Sequence, residues 1–120
     1  MSEQIFVYGT LHPERAPKEI KNVVSKFKPV GKGTIRGRLV DLGEYPALKL
    51  TKTKSRVEGN IFALPEDPSA LRALDKYEEF VPGNPGKSLF VRVKKMVTFA
   101  NGERKFCWVY IYNRELPAAS

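Results

Sequence analysis

The side chain best placed to do chemistry is Glu78, at the end of a helical stretch that opens at Asp67. At about 100° per residue, Ala73, Tyr77, Ala70, Leu74 and Leu71 fall along one apolar arc. Glu79, Arg72 and Lys76 lie on the opposite, charged side, with Asp75 at the edge. Glu78 does not join them: it falls between Leu74 and Leu71, inside the arc that faces the core. A carboxylate there loses water, which raises its pKa by favouring the neutral form. The negative end of the helix dipole pushes the same way. Such a group can take a proton and return it, the task of a general acid/base. Two other placements stay open: Glu78 pairs with an arginine such as Arg92, or swings into solvent where the helix frays.

The second candidate is the turn Tyr8-Gly9-Thr10-Leu11, directly after an apolar run. A glycine there lets backbone donors approach a ligand closely, as a carboxylate or oxyanion site requires, and Thr10 adds a hydroxyl. A bare strand end explains Gly9 equally well. The spacing is not that of a phosphate-binding loop or a dinucleotide fingerprint, so neither ATP nor NAD is indicated. Cys107 alternates with Phe106 and Trp108 and reads as a small buried residue rather than a nucleophile. His12, beside Pro13, reads as a loop residue, and no serine–histidine–acid set assembles.

These residues need elements to hold them. Ile5-Phe6-Val7-Tyr8 predicts a first strand, stopped at Gly9. Ile20, Val23, Val24 and Phe27 recur with helical spacing from about Lys18, and Pro29 closes that helix. Strands are expected over 34–42, 47–51 and 57–64, the first two separated by Gly43-Glu44-Tyr45-Pro46 and the last interrupted at Gly59. Asp67-Pro68 opens the second helix, which runs to about Tyr77. After the break Val81-Pro82-Gly83-Asn84-Pro85-Gly86, a hairpin runs over 89–99 and 104–112 around the turn signal Asn101-Gly102. The expected fold is α+β but mainly β: a small mixed, mostly antiparallel barrel with two short helices. One domain accounts for residues 1–120, with 113–120 as a tail.

The chain has 120 residues, 42% hydrophobic and 28% charged, enough for a buried core. It has no apolar run of the roughly 20 residues a bilayer helix needs and no secretion-signal pattern at Met1, so a cytoplasmic location is expected, with no membrane partner. One cysteine and one histidine exclude a zinc site built on those ligands. The net charge of +8 is concentrated between Lys18 and Arg56, where 11 basic residues face 3 acidic ones. Such an excess suits phosphate contacts. With only Phe27 and Tyr45 as interleaved aromatics, a solvated face is favoured and no nucleic-acid partner is expected.

In order along the chain, Tyr8-Gly9-Thr10-Leu11, Gly43-Glu44-Tyr45-Pro46-Ala47, Glu58-Gly59, Leu74-Asp75-Lys76-Tyr77-Glu78 and Phe90-Val91-Arg92 resemble the motifs of the gamma-glutamylcyclotransferase-like family. That group includes gamma-glutamylamine cyclotransferases and avirulence-induced proteins. The resemblance implies Glu78 as the acid/base and Tyr8, Gly9, Thr10 and Leu11 as the residues that bind the glutamyl portion of a small gamma-glutamyl substrate. It implies release of 5-oxoproline with no metal and no organic cofactor. Two positions depart from the pattern. Phe90 stands where tyrosine is common and lacks its hydroxyl. Glu79 stands where glycine often follows the catalytic glutamate, and a second carboxylate there raises the pKa of Glu78 further or changes which substrates enter. The rival readings are a non-catalytic module that keeps the cavity for a small metabolite, and a nucleic-acid-binding barrel.

Overall fold

The computed structural model describes residues 3–8, 18, 20–41, 46–50, 55–78, 80, 88 and 90–113. Gly9, Thr10, Leu11, His12, Gly43, Glu44, Tyr45, Glu79, the segment 81–87 and the tail 114–120 lie outside the described residues. In chain order the elements are β1 (Gln4–Val7), α1 (Lys21–Val24), β2 (Lys28–Arg36), β3 (Arg38–Asp41), β4 (Pro46–Lys49), β5 (Arg56–Ala63), α2 (Ser69–Tyr77), β6 (Phe90–Phe99) and β7 (Arg104–Tyr112). Five strands close into a barrel in the order β1-β5-β2-β6-β7, and β3-β4 form a separate two-stranded sheet. Closure comes from β7 lying parallel to β1, with Ile5 opposite Trp108, while the other barrel pairs run antiparallel. The mixed, mostly antiparallel barrel expected from the sequence is therefore present.

The two-residue alternation of strands sorts the core into two clusters. Phe6, Ile35, Val57, Ile61, Val97, Phe99, Cys107 and Val109, with Leu48 from β4, form a cluster drawn from strands alone, the filling of the barrel. Ile5, Val7, Phe62, Phe90 and Tyr110 point the other way and pack with Ile20, Val24, Phe27 and Leu74 under the helices. Cys107 is a buried filler, as its alternation predicts, and burial pushes its thiol up to about 11. No helix among the described residues is long and apolar enough to cross a membrane.

Three local expectations change. The helix expected from about Lys18 is a single turn, Lys21–Val24, although Ile20, Val24 and Phe27 are buried as its apolar spacing requires. Tight bonds from Lys26 N to Val23 O and Phe27 N to Val24 O finish that turn. Pro29 then lies inside β2 rather than merely ending a helix, beside the irregularity between Pro29 and Gly31, where a missing N–H is tolerated. The single run expected over 34–42 breaks at Gly37, whose N–H donates to Ser55 O, and the chain leaves the barrel for the small sheet. The β6–β7 connection is the tight four-residue segment Ala100-Asn101-Gly102-Glu103. Gly102 N donates to Phe99 O, Gly102 takes φ 92°, and Phe99 N donates to Glu103 O.

Gly59, opposite Gly33 across β2–β5, marks a close approach of β1. A Cβ on Gly59 would stand 2.6 Å from the Val7 carbonyl oxygen and 2.6 Å from Phe6 Cζ. The backbone oxygen cannot yield without opening the β1–β5 ladder that precedes Tyr8. Gly59→Ala is expected to lower the unfolding free energy by about 1–3 kcal/mol, read from urea denaturation. A change within roughly 0.5 kcal/mol would show that β1 has room there.

Candidate active site

Helix α2 starts where Asp67 Oδ1 accepts the Ser69 N–H at 2.9 Å, a bond that holds the Asp67 carboxyl below its ordinary range. At its other end Glu78 is the capping residue (φ −82°, ψ 3°), its N–H donating to Leu74 O at 2.9 Å. Phe80 N donates to Asp75 O at 2.8 Å, the six-to-one closure of a Schellman-type end. Phe80 also packs on the core cluster that contains Leu74, so the turn around Glu78 is held from both sides.

The Glu78 side chain is half-buried, in keeping with its place on the wheel, and its charge bears on two phenols. The Tyr8 hydroxyl is pushed above its ordinary pKa by burial, partly countered by the Leu48 N–H it accepts, with Glu78 raising it further. The Tyr110 hydroxyl is raised by burial and by Asp75, with a further contribution from Glu78. Tyr8 and Glu78, far apart in sequence, thus lie within electrostatic reach of each other. The Tyr8 hydroxyl donates to Tyr110 O at 2.6 Å and accepts from Leu48 N at 3.2 Å, joining β1, β7 and β4.

The wheel placed Asp75 at the edge of the polar side; the structure buries it, with 5% exposure. Arg92 Nε donates to Asp75 Oδ1 at 2.7 Å, Arg92 Nη2 to Oδ2 at 3.1 Å, and Tyr110 Oη to Oδ1 at 2.7 Å. Arg92 and Tyr110 are register partners on β6 and β7, so both reach α2 from the same rung. The guanidinium lies 4.3 Å from the Trp108 ring centre and 5.9 Å from that of Phe80. Burial would lower the Arg92 pKa, but the Asp75 carboxylate outweighs it and raises it. The arginine considered as a partner for Glu78 is therefore paired in bidentate fashion with Asp75.

Lys94 stands 4.9 Å from the Trp108 ring centre and 3.1 Å from Glu3 Oε2, while Trp108 Nε1 is buried with no hydrogen-bond partner among the described residues. Phe90 packs edge-on against Tyr112 at 5.8 Å. A cleft of about 270 Å³ opens at the far end of α2, lined by Glu3, Leu64, Pro65, Glu66, Asp67, Pro68 and Leu71; it is a different place from Glu78. Among the described residues no group of three or more His, Cys, Asp or Glu side chains could hold a metal. Lys28, Lys32, Arg36, Arg38 and Arg56, from the basic stretch, are all exposed.

Residues 5–120 match the family described as gamma-glutamyl cyclotransferase, AIG2-like, and the chain belongs to that family. Among solved structures, an AIG2-like protein from Mus musculus is similar with a TM-score of 0.74 and 26% identity, over 97% of this chain and 80% of that one. YkqA from Bacillus subtilis is similar with a TM-score of 0.70 and 18% identity over 94% of this chain, which spans only 36% of YkqA. A structure named gamma-glutamyl cyclotransferase gives a TM-score of 0.67 and 16% identity, over 93% of this chain and 67% of that one. Comparison with curated proteins gives no match.

Proposed function

We propose that the protein is a gamma-glutamyl cyclotransferase in which Glu78 is the general acid/base. The observation that carries this reading is a half-buried carboxylate at the end of α2, an end tied through Asp75 to Tyr110, whose carbonyl accepts the Tyr8 hydroxyl at the end of β1. The family match supports the same reading.

A gamma-glutamyl compound carries its own nucleophile, the α-amine. When the substrate is folded back, that nitrogen attacks the γ-carbonyl carbon and a new C–N bond closes a five-membered lactam. The bond to the departing nitrogen then breaks. Glu78 takes the proton lost by the attacking nitrogen and delivers one to the leaving nitrogen, so 5-oxoproline and a free amine or amino acid are released. Holding nitrogen and carbonyl in one near-attack shape is worth roughly 7–11 kcal/mol of barrier. No protein nucleophile is needed, in accord with a buried Cys107. Tyr8, its hydroxyl committed to Tyr110 and Leu48, fixes the start of the turn. The backbone donors of Gly9 and Thr10, with Leu11, hold the glutamyl carboxylate or the developing oxyanion.

The test is incubation with a panel of gamma-glutamyl amines and gamma-glutamyl peptides, reading 5-oxoproline by mass spectrometry. Release from at least one class is expected. Its absence across the whole panel would overturn the enzyme reading in favour of a metabolite-binding module.

A further inference from the structure

We propose that Asp75, Arg92 and Tyr110 are positioning residues that clamp the last turn of α2 to β6 and β7 and so set where Glu78 stands relative to Tyr8. The proposal rests on the acid/base reading of Glu78 and adds to it the residues that hold the base in place.

Asp75 is tied on both sides of Glu78. Its carboxylate is bound to β6 and β7 three residues before Glu78, and its carbonyl accepts the N–H of Phe80 two residues after it. Tyr110 has two ends in use. Its hydroxyl binds Asp75, and its carbonyl accepts the Tyr8 hydroxyl. One residue of β7 thereby spans the end of the helix and the end of β1, the two places from which the base and the glutamyl cradle are built.

The energetics favour geometry over mere cohesion. With side-chain exposures of 15% for Arg92 and 7% for Asp75, both charges have lost most of their water. Buried ion pairs are often no more stabilising than apolar replacements of the same size. What a bidentate pair adds is a fixed distance and a fixed plane. The Trp108 ring beneath the guanidinium restricts it further. Reaction rates are sensitive to this kind of constraint, since about 1 Å of misplacement can cost around a hundredfold.

Tyr110→Phe tests the clamp, because it removes only the bond to Asp75 and keeps the carbonyl that receives Tyr8. Arg92→Lys keeps the charge and removes the bidentate fork. For both variants, steady-state kinetics on a gamma-glutamyl substrate are combined with amide hydrogen exchange. The expected result is a kcat lowered by about 10- to 100-fold with KM within about threefold. Exchange at the Glu78 and Phe80 amides is expected to speed up by about tenfold while that of Ile61 in β5 is unchanged. A merely structural role would speed exchange everywhere and leave kcat per folded molecule at the parent value; that outcome, or unchanged exchange at Glu78 and Phe80, overturns the proposal. Should the parent protein release no 5-oxoproline, the cyclotransferase reading fails by itself. The exchange comparison then decides the clamp: acceleration confined to Glu78 and Phe80 supports it, and its absence overturns it.

Discussion

Glu78→Gln is expected to give a folded protein that releases 5-oxoproline about 10²–10⁴-fold more slowly, with KM little changed. The substitution keeps the shape of the side chain and its capacity to hydrogen-bond, and removes only its ability to cycle a proton. The backbone cap of α2 survives the change. The capping bond at this position runs from the Glu78 N–H to Leu74 O and does not involve the side chain. Circular dichroism and the unfolding midpoint check that assumption, and single-turnover kinetics separate chemistry from product release. A variant that turns over at the parent rate would mean the proton moves through another group.

The largest expected effect on stability is at Asp75. Asp75→Ala leaves the Arg92 guanidinium mostly buried, beside Trp108, with its bidentate partner gone. Removing one member of a buried pair costs about 3–5 kcal/mol. At this chain length each kcal/mol moves the thermal midpoint by roughly 3–6 °C, so a drop on the order of 10–30 °C is expected. The double variant Asp75→Leu with Arg92→Met should regain much of the loss, because neither charge then needs to be desolvated. It should not regain the rate, because the fork that fixes the helix end is gone. An Asp75→Ala midpoint within a few degrees of the parent would show that water reaches the pair.

The sequence made the local elements legible and left their assembly hidden. Ser69–Tyr77 and the two strands of the last hairpin follow from periodicity within a short window, and the structure places them close to where that periodicity does. The half-burial of Glu78 follows from the wheel for the same reason. The burial of Asp75 escapes a helical wheel, which knows only its own helix. The partners that draw this carboxylate inward lie 17 and 35 residues away, on β6 and β7. A signal was nonetheless there. Arg92 shares its strand face with Phe90, and Trp108, Tyr110 and Tyr112 form an aromatic stripe at two-residue spacing, an unusual setting for a cation without a buried anion opposite. The first helix is shorter than its periodicity predicts because burial of Ile20, Val24 and Phe27 is met by one turn and a tightened end. The place of Pro29 inside a strand depends on the β2–β5 irregularity, which no local pattern encodes.

The parallel seam between β1 and β7 bears on how the protein is made. Ile5 meets Trp108 across it, and the bond from Tyr8 to Tyr110 spans 102 positions of the chain. During synthesis β1 therefore stays unpaired on that side until β7 has been translated. Contacts this remote are slow to form. Tyr8 and Tyr110 are joined only when β7 closes on β1, so a chain lacking β7 lacks the link that runs from β1 through Tyr110 to Asp75 on α2.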